Sequence, residues 1–331
     1  QAVTKRNHHV ETAFVSTNSI VQGEHVAVLW QYLLENCGGY INFAHHTFKW
    51  TNEGKGVAGV HCVIVGYSNK ERQEKTIFSY DDITTEPTSN KTKLINGYLI
   101  GSPIVFFDRK NKQVSSENIM AKGSQPTDGG YLLLSNEEYL DLLDKEPLTK
   151  KYLRPFMGSQ EFLNNIERWC LWFDGVDPIE LNNDLAQMPT VIQRLENIKT
   201  MRNSSTKQAT RNLATTPHLF GEIRQPSTGS YLLIPSVSSE NRKYIPIGFF
   251  DHTTVCSNLV FSLPHASLYH FGTLSSSMHN AFMRLTAGRL ESRYRYSNSI
   301  VYNNFPYPFM ADDDSSKATK ARETIDKAAQ A

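Results

Sequence analysis

The sequence predicts an α/β protein (α+β over its whole length) in which the closing half of a doubly wound, Rossmann-like sheet precedes a larger mixed α/β region. Three observations carry this. A strand–helix–strand–strand pattern fills residues 14–66. Apolar residues recur at helical spacing between the first two of those strands. From residue 96 onward, short strand and helix patterns follow one another without an internal repeat.

The first element, residues 14–20, reads as a buried strand. Val26, Leu29, Trp30, Leu33 and Leu34 then fall at i, i+3, i+4, i+7 and i+8, which puts them on one helical face. Gly38 and Gly39 end that helix. Residues 41–44 form the second strand and residues 59–66 the third. Between them, residues 45–56 read as a polar, aromatic-bearing loop. Half a sheet needs further strands to cover its inner edge. The first residue is Gln1, not Met, so the chain is expected to be a piece of a longer protein whose exposed edge can pair copies.

Residues 68–95 are polar and turn-rich and read as the exit from this sheet. Short strands are expected at 98–100 and 103–107, and a turn at Asp128-Gly129-Gly130. Ser135 followed by Glu138 has the spacing of a capping box, opening a helix that carries Tyr139, Leu140, Leu142 and Leu143. Residues 166–173 read as a dense apolar strand, 185–213 as a long helix or helix pair, and 230–265 as strands with proline turns. Residues 275–290 read as a helix with Met278, Phe282 and Leu285 on one stripe. A charged, Ala-rich helix is expected from Asp312.

Over 331 residues, 39% hydrophobic and 20% charged residues describe a globular composition, long enough for two domains. The net charge is +1, so any nucleic-acid surface must be local. No apolar run approaches the roughly 20 residues that span a bilayer. Cys37, Cys62, Cys170 and Cys256 lack paired spacing, which argues against a zinc site or disulfide framework; no metal is expected, and a reducing cytoplasm is the simplest home.

Two segments concentrate charge. Arg194, Lys199, Arg202, Lys207, Arg211 and Arg224 face only Glu196 and Glu222, among many Ser, Thr and Asn. Such a surface suits phosphate oxygens; it also suits an ordinary solvated helix face. The second segment is 288–298. If extended, period-two alternation puts Glu291, Arg293 and Arg295 on one face and Tyr294 and Tyr296 on the other. Arginine can donate two hydrogen bonds to guanine O6 and N7, and glutamate can accept from cytosine N4. The competing reading is a surface ion-pair strand.

Several stretches resemble one family: the MmeI-like single-chain restriction–modification enzymes and their relatives, S-adenosylmethionine-dependent adenine-N6 DNA methyltransferases. They begin at Phe14 (FVSTNSI, then QGE from Gln22), Phe43 (FAHHTFKWTNE), Val60 (VHCVIVG), Glu167 (ERWCLW), Val237 (VSSE), Tyr244 (YIPIG), Gly288 (GRL) and Tyr302 (YNNFPYP). They span nearly the whole chain. The resemblance implies that residues 1–95 are the C-terminal part of a methyltransferase domain, 96–310 a DNA target recognition domain, and 311–331 the start of a helical tail. The family's glycine-rich methyl-donor loop and Asn-Pro-Pro-Tyr/Phe motif would lie upstream of Phe14. No Asn-Pro-Pro occurs here, so no catalytic residue is expected in this chain, no tight S-adenosylmethionine binding, and no activity alone.

The resemblance also assigns roles. Phe48 and Trp50 are the candidates to stack on a flipped-out adenine, with core packing as the alternative for each; they share a face if the segment is extended. His45 and His46 have no evident partner. In this family an acid/Arg pair in the Gly-Arg-Leu stretch goes with reading a cytosine on the methylated strand, and a Lys/Asp pair with a guanine. Glu291 and Arg293 are of the first type, and Arg295 would read or brace a neighbouring position. Lys55, Arg194, Lys199, Arg202, Lys207, Arg211, Arg242 and Lys243 are the candidate phosphate contacts. The expected partner is double-stranded DNA in a bacterial or archaeal cytoplasm, with no membrane. Two alternatives stand beside this: a non-catalytic specificity module docking to a separate catalytic subunit, and an unrelated sugar- or nucleotide-binding α/β protein.

Overall fold

The computed structural model describes residues 10–50, 60–82, 85–115, 117–310 and 312–330. Packing divides the chain into two units that interleave along the sequence. One comprises Gln1–Ser116, Val237–Lys243 and Ser277–Ala311; the other comprises Glu117–Ser236, Tyr244–Ser276 and Asp312–Ala331.

The first unit holds a five-stranded sheet: β1 (Thr12–Thr17), β2 (Tyr40–Trp50), β3 (Val60–Ser68), β4 (Lys75–Ser79) and β5 (Thr88–Thr92). The order is β1-β3-β2-β4-β5, and β2–β4 is the parallel pair. The expected helix is present as a short α-helical turn, α1 (Glu24–Val26), continuing into a π-wound segment, Ala27–Asn36. Val26, Trp30 and Leu34 bury against Ile41, Ala44, Val63, Val65 and Ile77, with Leu29 and Leu33 partly buried alongside. The Trp30 indole N–H donates to the Ile20 carbonyl at 2.9 Å, so the largest side chain of this core leaves no polar group unpaired.

Five expectations need correction. β1 is an edge strand, with Phe14 and Val15 exposed, because only β3 pairs with it. The expected loop from residue 45 is strand as far as Trp50. Residues 68–95 contribute β4 and β5; β5 (Thr-Ser-Asn-Lys-Thr) has no apolar alternation because it is an exposed edge. Residues 98–100 and 103–107 are not strands. The Asn96 side-chain oxygen accepts from the Tyr98 and Ile100 amides and folds a turn, with Leu99 at φ +61°, that still buries Tyr98 and Leu99 in the core. In the helix Ser277–Thr286, Phe282 packs edge-on to Phe107 at 5.0 Å, but Met278 points to solvent; the buried positions are His279, Asn280, Met283 and Thr286.

The second unit carries two four-stranded sheets. Its core gathers Leu132, Leu134, Tyr152, Phe156, Trp172 and Phe173. Ser135 and Glu138 form the capping box that opens Asn136–Lys145. The expected strand shortens to Arg168–Leu171, where Trp169 stacks on Tyr139 at 3.9 Å. The helix Pro189–Asn203 buries Val191, Leu195, Ile198 and Arg202. The tail helix Ser316–Gln330 packs on Leu268–Ser275 at Gly272, where an added Cβ would lie 2.8 Å from Ile325.

Candidate nucleic-acid interface

Residues 288–298 do not form one continuous strand. Gly288–Leu290 and Arg293–Arg295 make an antiparallel hairpin, and Val237–Ser238 adds a third strand against the second. The connection is two residues, Glu291-Ser292, and Glu291 sits at φ +59°. Glycine or asparagine is the usual occupant of such a position, and another residue there costs about 1–2 kcal/mol. What glutamate supplies instead is a carboxylate beside Arg293. Arg293 Nη2 donates to Glu291 Oε2 at 2.8 Å, with the side chains 45% and 75% exposed. Arg295 is exposed as well, whereas Tyr294 and Tyr296 are buried. An exposed ion pair of this kind adds no more than about 1 kcal/mol to stability, so the charged row is not what holds the hairpin.

Other contacts hold it. Arg289 lies over the Tyr294 ring at 3.7 Å and donates to the Ser292 carbonyl. The Ser292 hydroxyl donates to Glu240 Oε1 at 2.6 Å. That hydrogen bond above all, then Glu240's own backbone N–H and the charges of Arg289 and Arg293, hold the Glu240 carboxyl below its ordinary range against a small desolvation cost. Tyr296 Oη meets His279 Nε2 at 3.2 Å, and burial pushes the phenol well above its usual pKa, so it stays a neutral hydroxyl. Tyr296 was expected from sequence on the packing face, whereas Glu240 and Arg289 were not singled out for this role, although Arg289 lies within the Gly-Arg-Leu stretch.

On β2, the ladder with β3 skips two residues between His45 and Phe48, a bulge. His45 faces Ile64 and Phe48 faces Cys62, so three residues of β2 match two of β3 and Phe48 returns to the face of His45. Trp50, opposite Val60, shares it. Phe48 is half-buried, 5.5 Å from Tyr80 and 6.1 Å from Trp50; Trp50 is 46% exposed. Both histidines have partners, contrary to expectation. His45 stacks on Phe78 at 4.2 Å and bonds Tyr80 Oη through Nδ1, and burial lowers its pKa, which favours the neutral ring. His46 bonds the Leu99 carbonyl and the Ser79 hydroxyl.

The phosphate candidates separate by burial. Arg202 is completely buried, and its guanidinium donates to the carbonyls of Pro126, Thr127, Leu213, Thr216 and Leu219. It ties the loops of its unit together and cannot reach a phosphate; its expected role is withdrawn. Arg194 pairs with Glu138 at 2.8 Å and donates to the Tyr131 carbonyl. Arg211 donates to the Ser205 carbonyl and to Gln208. Lys199, Lys207, Arg242 and Lys243 are exposed. Lys55 lies outside the described residues. Among the described residues, no group of three or more His, Cys, Asp or Glu side chains could hold a metal ion, and no helix is long and apolar enough to cross a membrane.

By comparison with known proteins, this mixed α/β chain is similar to parts of a DNA-methyltransferase domain and of a target recognition domain. Residues 1–79 match the family described as MmeI, DNA-methyltransferase domain, and residues 101–309 match MmeI, target recognition domain. The chain belongs to the MmeI family. It is 37% identical over 300 residues to DNA methyltransferase A of Bacillus subtilis (strain 168), covering 91% of this chain and 33% of that protein. It superposes on the Type IIL restriction-modification enzyme MmeI, solved in complex with DNA, with a TM-score of 0.87 at 46% identity, over 99% of this chain and 42% of that one. The chain thus spans less than half the length of both relatives.

Proposed function

We propose that this chain is the sequence-reading part of a site-specific adenine-N6 DNA methyltransferase of the restriction–modification type, acting on double-stranded DNA. The observation that carries the reading is the exposed Glu291, Arg293 and Arg295 row on a hairpin whose tyrosines are buried, in a chain of the MmeI family. Arg293 donates to guanine O6 and N7, Glu291 accepts from the paired cytosine N4, and Arg295 reads or braces the neighbouring position. Residues 1–95 serve the methyltransferase domain, 96–310 the recognition domain, and 311–331 begin a helical tail.

One aromatic of the Phe48–Trp50 pair stacks on the extruded adenine, offsetting part of the few kcal/mol that extrusion costs. Trp50 is the more accessible of the two. Lys55, Lys199, Lys207, Arg242 and Lys243 contact phosphates, with Arg194 and Arg211 bracing their surroundings. The family's methyl donor is S-adenosylmethionine. The residues that would hold it, a glycine-rich loop and an Asn-Pro-Pro motif, do not fit anything in this sequence, so no step is assigned to it here and the chain by itself is expected to transfer no methyl group. The exposed edge at β1 is a surface for pairing with a further strand, from the rest of a longer chain or from a second copy. The site of action is the cytoplasm of a bacterium or archaeon.

The test is selection of bound duplexes from a randomised pool, comparing the chain with the double variant Glu291→Lys/Arg293→Asp. A preference that moves from C·G to G·C at one position supports the reading. An unchanged preference overturns the assignment of the pair.

A further inference from the structure

Inside the first unit lies a concave pocket of about 240 Å³ that none of the roles above uses. Its polar lining is Gln22, His46, Thr47, Tyr98, Arg284 and Arg289; Val63, Leu99 and Leu285 supply apolar wall. The lining contains two guanidinium groups and no carboxylate. His46 is spoken for: its Nε2 donates to the Leu99 carbonyl, which can only accept, and its Nδ1 is hydrogen-bonded with the Ser79 hydroxyl. With both ring nitrogens engaged, this imidazole is wall, not ligand.

The two arginines are different. Each is held by a few contacts that fix its direction without exhausting its five N–H donors. Arg289 uses Nη1 on the Ser292 carbonyl and its face on Tyr294. Arg284 uses Nη2 on the carbonyls of Arg242 and Lys243. Tyr98 is 5% exposed with its hydroxyl buried beside the Phe107 backbone, so it serves the pocket as wall.

Two fixed cations, an amide and a threonine hydroxyl against an apolar wall suit an oxyanion carried on an apolar body. We propose that this pocket takes one phosphodiester of the DNA backbone, with Arg284 and Arg289 donating to its oxygens and the wall of Val63, Leu99 and Leu285 against the attached sugar. The proposal rests on the DNA-binding reading above and extends it to residues outside the base-reading row. Arg289 then has two jobs: it stacks under Tyr294, which carries the reading strand, and it grips the backbone. A phosphate seated there adds affinity that carries no base preference of its own.

The experiment is duplex binding by fluorescence anisotropy across a salt series, with the 331-residue chain and a labelled duplex of mixed sequence. Each phosphate contact contributes about one unit to the slope of log K against log salt. Arg284→Gln and Arg289→Gln are each expected to lower that slope by about one unit, and the double variant by about two. Both should weaken binding to all sequences alike, without shifting base preference in the selection experiment. Arg284→Lys should restore the slope. Because Arg289 also supports the hairpin, Arg284→Gln is the primary variant, with thermal unfolding showing that it remains folded. A folded Arg284→Gln chain with an unchanged slope overturns the proposal, as does a shift of preference at a single base. So does saturable binding of inorganic phosphate or thymidine monophosphate that leaves duplex affinity untouched, which would mark a free-anion site. If the wild-type chain shows no salt-sensitive duplex binding, the DNA-binding reading itself falls along with this one, and that failure appears before any variant is made.

Discussion

The two arginine-rich stretches of this chain look alike as composition and behave oppositely as structure. In the hairpin, Arg293 and Arg295 stand in solvent on a strand anchored by buried tyrosines. In the stretch that begins at Arg194, Arg202 is the most deeply buried charge, and Arg194 and Arg211 are tied to carbonyls or to a protein side chain. Of the singled-out set, Lys199, Lys207 and Arg224 stay exposed there, and Arg224 is paired with Glu222. A count of cations does not separate these cases. Their phase relative to the apolar residues does: Arg202 continues the stripe Val191, Leu195, Ile198, while Arg293 and Arg295 alternate with Tyr294 and Tyr296. One stretch spends arginine on holding loops together, the other displays it.

The sharpest way to break this contrast is Arg202→Met. Removing a fully buried guanidinium leaves five carbonyls without their donor, and the expected loss is about 3–5 kcal/mol, read by chemical denaturation. A stable Arg202→Met chain that loses only DNA affinity would put Arg202 on the wrong side of the comparison. Next in size is Arg293→Ala: about 1–3 kcal/mol of discrimination lost at one base pair, with stability changed by no more than about 0.5 kcal/mol. A large drop in melting temperature for this variant would show that the displayed arginine holds the fold after all.

Tyr296→Phe keeps the ring but removes the hydroxyl facing His279. It should cost about 1 kcal/mol and loosen the hairpin without altering which base is preferred. Glu291→Gly should relieve the backbone at φ +59°, raising stability by no more than about 1 kcal/mol while removing preference at its base. That opposite movement of stability and specificity is the signature of a residue placed for reading. The smallest effect is on pH. The folded carboxyl of Glu240 titrates below its ordinary value, so its contribution is present above the unfolded carboxylate pKa and fades as pH falls through the folded one. Melting temperature should therefore fall less steeply in acid for Glu240→Gln than for the wild type. Equal slopes would remove Glu240 from the set of groups that hold the tip.

Much of this was legible before any coordinates. The helix stripe from Val26 to Leu34, the Ser135–Glu138 cap and the alternation of Arg293 and Arg295 with two tyrosines are local patterns, and each is present. The hairpin was not, because its turn lacks the glycine or asparagine that announces one. Nor was β5, whose polar residues satisfy an edge and carry no period, nor β4, a five-residue strand paired on both sides. The bulge that swings Phe48 onto the face of His45 depends on register against β3, which no single-strand pattern contains. Both histidines looked unpartnered because Tyr80, Phe78, Ser79 and Leu99 reach them from strands and turns distant in sequence.

The sequence by itself determined which faces are apolar, which side chains alternate and which family the chain belongs to, because those depend on spacing along one chain. Tertiary structure alone decided that Arg202 is an internal tie, that Glu291 occupies a turn, and that Arg284 and Arg289 share a pocket with Tyr98. Burial, register and the meeting of remote loops are relations between elements, and a charge acquires its role only from what surrounds it.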